Sequence, residues 1–353
     1  YASGGEFLAW IMGLLLLLEY GIAASTVAVG WSGYLVSLLG DVGVHIPGEL
    51  TAGYGVAVMD PTTGMATGVT GQFNLLAVLA LLAVTALLIA GVSESALVNN
   101  IIVLIKVSVV IAFIAIGIGF VDFSRWSPLI PPQIPPPPPG SDMSLWAQIG
   151  RALADVLTGA NTVQYGVGGI ITGAATIFFA YLGFEAVSTA GAESKNPKRD
   201  MPVGIIGSLA ICTVLYILTA GVLVGVVPYA NLNNPAPIAT AVNQMGLPWF
   251  SVLVKLGALC GLSSVMLVLL YGQTRIFYTM ARDGLLPDVF ARVHARFKTP
   301  WVNTALVGLI AAAFAGAFGI RDLSNYTNVG TLAAFAIVCL TVVYLRFTDP
   351  RME

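Results

Sequence analysis

GGIITGAATIFFAYLGFEAVSTAGAESKNPKRDMP, residues Gly168 to Pro202, reads as a membrane span interrupted by its own sequence. Apolar residues run from Ile170 to Leu182. Then come Gly183, the acidic Glu185 and the polar pair Ser188 and Thr189, ahead of a charged Asn-Pro loop. A plain anchor has no use for a glycine and a carboxylate at membrane depth. A helix broken around a polar substrate does, because irregular backbone inside a membrane is tolerated only where it is buried in protein or lines a cavity.

The composition of the 353 residues agrees: 57% are hydrophobic and only 9% charged, as in a polytopic membrane protein. A net charge of -2 gives no reason to expect a nucleic-acid partner. The three cysteines, Cys212, Cys260 and Cys339, lie in apolar runs at unrelated spacings. They are expected to be small buried hydrophobes, with no disulfide framework and no metal site. Nothing implies a cofactor. Residue 1 is Tyr, shortly before an apolar run, so a fragment of a longer chain is expected.

A crossing needs roughly 20 apolar residues. By that measure the chain is a single transmembrane domain over 1–353 with spans at about 6–37, 74–94, 98–122, 169–190, 203–228, 249–276, 303–319 and 329–347. The first and sixth exceed a straight crossing and are expected to tilt or bend. The 38–73 loop carries no Lys or Arg, and the other loops on that side hold only Arg125, Arg151 and Arg321. Lys195, Lys198 and Arg199 cluster in 191–202, and Arg275, Arg282, Arg292, Arg296 and Lys298 in 275–302. The positive-inside rule then places both ends of this chain in the cytoplasm. Pro135 to Pro139 form a polyproline segment in the 123–168 loop, which also holds a short helical pattern, LWAQIGRALADVL. Asn196-Pro197 is expected to stop the fourth span, and Asp200 to cap the fifth.

Three ionisable groups fall well inside spans: Glu19, Lys106 and Glu185. Each costs about 3 kcal/mol if it meets lipid at the bilayer centre, so each should face the bundle interior or water. Burying an ammonium strips its hydration, so Lys106 could give up a proton and carry one through a transport cycle. It could equally stand where another carrier holds Na⁺, or serve as a fixed counter-ion. Glu19 could attract a cationic group, relay a proton or pair with a lysine. Glu185 could receive a substrate ammonium or cap the broken helix. Lys255 is only a turn or so inside the outer end of its span, where it can snorkel, and is read as structural. Both histidines, His45 and His294, fall in loops. No zinc spacing, nucleophile elbow or P-loop is present, so an enzyme is not expected.

YLGFEAVSTAGAESKNPKRDMPVGI (181–205) resembles the sixth helix and following loop of bacterial amino acid permeases of the amino acid–polyamine–organocation (APC) superfamily, in its cationic amino acid transporter branch. LYGQTRIFYTMARDGLLPDVFARVHARFKTPWVNT (270–304) is similar to the eighth helix and loop of that family. GVSESALVNNIIVLIKV (91–107) resembles its fourth-to-fifth junction, and GGEFLAWIMGLLLLLEYGIAASTVAVGWSGY (4–34) its third helix.

The resemblance implies an all-α membrane protein with the LeuT-like inverted-repeat fold. The eight transmembrane helices here would be family helices three to ten. It implies an aromatic gate at Phe179, backbone contact with substrate at Leu182 and Gly183, and an acidic ligand at Glu185. It also implies a carboxylate facing the site at Glu19, a size-tuning position at Leu269, and a proton-coupling lysine at Lys106. It further implies that this chain lacks family helices one and two, and with them the other half of the site, so this chain alone is expected to be inactive. Where relatives carry paired acidic residues after STA, this chain has Ala192 and Glu193.

The expectation is therefore a proton-coupled secondary active permease for L-amino acids, with cationic and neutral side chains both open, with protons and the lipid bilayer as partners, in a bacterial inner membrane. Large Leu269 leans toward small or neutral substrates. A membrane scaffold or receptor that keeps the fold without transporting is the alternative. A cation channel has no acidic ring or carbonyl-filter motif in its favour.

Overall fold

The computed structural model describes residues 5–91, 96–132, 146–150, 165–183 and 196–348. Glu185, Ser188, Thr189, Ala192, Glu193 and the polyproline run lie outside them. The described chain is helical apart from one small hairpin. In order it comprises α1 (Gly5–Leu16), a π-turn (Leu17–Ile22), α2 (Ala23–Asp41), β1 (Ala57–Met59), β2 (Ala66–Thr70), α3 (Leu75–Ile89) and α4 (Ala96–Gly117). These are followed by α5 (Gly166–Ile177), α6 (Pro197–Val226), α7 (Pro237–Gln244), α8 (Pro248–Arg282), α9 (Trp301–Ala317) and α10 (Ile320–Thr348). Residues 146–150, within the short helical pattern, are helical.

Five of these stretches are long and apolar enough to cross a membrane: Gly5–Asp41, Asn100–Phe120, Lys198–Val226, Pro248–Arg282 and Ile320–Phe347. Shorter apolar helices, Leu75–Ile89, Gly166–Tyr181 and Trp301–Ala317, occupy the other three expected spans. The chain divides into two compact units, Tyr1–Val109 with Tyr229–Glu353, and Val110–Pro228.

In the first unit α2 packs chiefly on α8, α3 on α9, and α10 on the π-turn. The reason is visible in AASTVAVG, where every residue from Ala23 to Gly30 is buried. Small side chains let helices approach closely on several sides, the packing mode of membrane bundles. The polar members are bonded within the bundle: Ser25 donates to the Ala311 carbonyl of α9 at 2.8 Å and Thr26 to that of Ile22 at 3.0 Å. At the N-terminus of α3, Asn74 accepts from Ala77 N at 3.1 Å and donates to Ser32 at 2.8 Å, so one side chain caps a helix and ties it to α2.

The hairpin arises inside the Gly/Thr-rich loop. Asp60 Oδ1 accepts from Thr62 N at 2.6 Å and Thr63 N at 3.1 Å, an Asx-type turn, and β1 pairs antiparallel with β2.

In the second unit a loop stoppers the end of α6. The Arg125 guanidinium meets the Val226 carbonyl, and Trp126 Nε1 donates to that of Gly221 at 3.2 Å. The Arg125 cation thus answers an unpaired carbonyl of the last turn and the negative end of the helix dipole, and Trp126 adds a bond to a carbonyl one turn further in. Asp122 orients this loop. Its carboxyl is held below its ordinary value by hydrogen bonds from the Ser124 hydroxyl and backbone N–H, and less by Arg125.

Three expectations need correction. The cap of α6 is Asn196 with Pro197 in the first turn, and Asp200 lies inside that turn, accepting from Asn196 N at 3.1 Å. The helix starts earlier than the apolar run because proline suits its first positions. Cys260 and Cys339 are exposed and Cys212 half-buried, because an apolar helix face in such a chain can be turned outward. Lys255 does not snorkel. Its side chain is fully buried and paired with Asp41 at 2.5 Å.

Candidate substrate and coupling site

Glu19 lies in the π-turn LLEYGI, between α1 and α2. A π-turn inserts a residue into the helical ladder and loosens its hydrogen bonding, a distortion that recurs at functional sites. The carboxylate is 1% exposed. Gly330 on α10 lies flat against this turn: a methyl there would come 2.9 Å from the Leu15 carbonyl oxygen and 3.3 Å from Glu19 N. Only a residue without a side chain fits that approach. On the α8 side, Gly272 faces the Tyr20 ring.

Many polar residues surround this level, but most are spoken for. Thr304, Thr327 and Thr331 each return their hydroxyl to the carbonyl four residues back at 3.0 Å. That is the usual way for a threonine to place its O–H in an apolar helix.

Lys106 is half-buried on α4, with its stem across Gly261 and its Nζ donating to Ser264 Oγ at 2.9 Å. Gly261 and Ser264 are one turn apart and so share a face of α8. Lys106 therefore bonds to α8. Leu269 is buried at 6% exposure on α8. Four residues further on, Gln273 is buried on the same face.

In the second unit the helical path of α5 tightens into a 3₁₀ turn, Phe178–Tyr181, which contains Phe179. Leu182 then swings to φ -53, ψ 134, and Gly183 takes φ +101. That value belongs to a region that side chains rarely enter, so glycine is required where the helix stops. Tyr181 hydrogen-bonds Thr213 at 2.9 Å, and Tyr216 donates to the Ala180 carbonyl at 2.7 Å, which fastens the turn to α6. A cavity of about 220 Å³ is lined there by Leu182, Gly183, Ser208 and Cys212, among others. Gly183→Val is expected to cost about 1–2 kcal/mol of local strain. A lower melting temperature together with weaker ligand binding would register it, and a variant indistinguishable from the parent would refute the requirement.

The first unit holds larger cavities of about 300 and 340 Å³, and neither is lined by Glu19, Lys106 or Leu269. The Lys255 cluster was missed in the sequence. Asn243 Oδ1 accepts from Lys255 at 2.8 Å and from Ser251 at 2.8 Å, while its Nδ2 donates to the Pro61 carbonyl at 3.1 Å. Asp41, at the end of an apolar run, was the available signal.

A family model described as amino acid permease matches residues 1–353. The methylthioribose transporter of Bacillus subtilis (strain 168) is 42% identical over 100% of this chain and 67% of its own length. The branched-chain amino acid permease BcaP of the same organism is 37% identical over the same shares. The vacuolar cationic amino acid transporter 4 of Arabidopsis thaliana is 34% identical over 99% of this chain and 52% of its own. The chain thus spans about two thirds of those bacterial relatives and about half of the plant one.

Proposed function

This chain belongs to the amino acid permease family, and from that membership we propose a proton-coupled secondary transporter of L-amino acids. The family and these relatives are transporters and not enzymes, and the apolar helices make the chain an integral membrane protein. Eight crossings in the LeuT-like arrangement, as a single transporter domain with both ends of this chain cytoplasmic in a bacterial inner membrane, complete the reading. The loop charges support the orientation.

The observation that carries the proposal is Glu19, a carboxylate 1% exposed in a distorted turn at the centre of an apolar helix. An ionised group there is expensive, and transport gives it a use. It faces the substrate ammonium. By their places in the sequence, and as the family resemblance implies, Leu182 and Gly183 are assigned the backbone contacts with substrate, Phe179 the aromatic gate and Glu185 the second acidic ligand. Leu269 sets the room left for the side chain. Lys106 carries the proton, and its bond to Ser264 makes α8 sensitive to it.

Glu19→Gln keeps the shape and removes the charge. Losing a charge-assisted bond is expected to weaken amino acid uptake by about 10–100-fold. Uptake within about twofold of the parent would remove Glu19 from the site. The substrate class is tested by competition against labelled alanine with leucine, arginine and methylthioribose. Competition by amino acids is expected. Competition by methylthioribose alone would overturn the amino acid assignment.

A further inference from the structure

Gln273 on α8 is fully buried, and neither its Nε2 nor its Oε1 has a hydrogen-bond partner among the described residues. Buried amides are almost always bonded, and an orphaned one lowers stability, so its presence calls for a reason. Asn303 on α9 repeats the feature. It is fully buried, its Nδ2 donates to the Thr274 carbonyl at 2.7 Å, and its Oδ1 is without a partner among the described residues. Thr274 follows Gln273 and Gly272 precedes it. The first is held by Asn303 and the second packs on Tyr20, next to Glu19. Gln273 is therefore flanked in sequence by the residue that Asn303 holds and by the residue that packs on the π-turn, within one turn of α8.

The unmet groups are two N–H donors and two amide oxygens, with no formal charge. That set suits a small neutral species that both donates and accepts. A bare cation would find two oxygens and be opposed by the Gln273 amino group. We propose that Gln273 and Asn303 Oδ1 form a buried hydration site beside the π-turn of Glu19, kept for transport at a cost in stability. A bound water satisfies about three such groups and can exchange protons and hydrogen bonds as the helices rearrange. The inference rests on the transport reading for its uptake arm only.

The test replaces the amide by apolar side chains of similar size, Gln273→Met and Gln273→Leu, in the full-length protein. Melting in detergent, substrate affinity and proteoliposome uptake are then measured. A bound water returns only part of what burying the amide costs, so its replacement by an apolar side chain is expected to raise the melting temperature of at least one variant by about 2–4 °C. Uptake should fall about tenfold while substrate affinity stays within about twofold. The site is overturned if both variants melt below the parent, because the amide is then a bonded structural group. It is also overturned if uptake is unchanged, or if affinity is lost, which would make the occupant a substrate group and not water. A parent protein without uptake would refute the transport reading, while the melting arm would still judge the orphaned amide.

Discussion

Lys106→Ala is expected to yield a full-length protein whose amino acid uptake no longer depends on pH. The ammonium donates to Ser264 Oγ at 2.9 Å, and the lysine stem lies across Gly261 on the same face of α8. A hydrogen bond made by a charged group contributes about 1.5–3 kcal/mol, enough to shift a two-state equilibrium about 10–100-fold. If Lys106 binds and releases the coupling proton, the affinity of α4 for α8 changes by that amount once per cycle, and the conformational balance changes with it. In the parent, uptake should be highest on the acid side and fall as the lysine loses its proton. In Lys106→Ala it should be low and flat. Lys106→Arg keeps a charge that does not dissociate, and it should also be flat. Uptake in Lys106→Ala that follows pH as the parent does would end the assignment.

Asp41→Ala is expected to destabilise the protein by about 3 kcal/mol. Lys255 has a fully buried side chain, and its Nζ is held by Asp41 at 2.5 Å, by Asn243 Oδ1 at 2.8 Å and by the Ser37 carbonyl at 3.5 Å. Removing Asp41 leaves the ammonium with neutral partners alone, and the full desolvation cost of the charge emerges. Asn243 extends the damage, since the same side chain holds the Pro61 carbonyl and accepts from Ser251, so α2, α7, α8 and the hairpin turn share one cluster. Lys255→Met combined with Asp41→Leu should recover most of the loss, because an apolar pair carries no such cost. Thermal melts of the three variants check this. An Asp41→Ala melt coincident with the parent would show that the pair contributes nothing.

Lys255 also shows where reading a sequence stops. Its depth along its own helix is legible, and by that depth it could reach water. What covers it comes from Asp41, Asn243 and Pro61, residues far away in the chain. The hairpin from Ala57 to Thr70 escaped for a different reason. Its strands are short, and the turn signal, Asp60-Pro61-Thr62-Thr63-Gly64, lies in a loop whose most legible feature is its lack of Lys and Arg. Glu19 and Lys106 were legible because a membrane makes ionisable residues costly, so their positions alone mark them. The π-turn that holds Glu19 was not, since LLEYGI has no proline and continues the helical pattern on both sides. The stop at Leu182–Gly183 was read from one glycine, and its φ of +101 is the physical content of that reading. Gln273 stood unnoticed among GQTR because a single amide carries no charge. Only its lack of partners, a property of packing, distinguishes it.

The most direct measurement is accumulation of labelled L-alanine by proteoliposomes of the full-length protein, with the outside made acid and a protonophore added in a parallel sample. Proton-coupled transport predicts transient accumulation above the outside concentration, abolished by the protonophore. Uptake no greater than in protein-free liposomes, or uptake that the protonophore leaves unchanged, would contradict it.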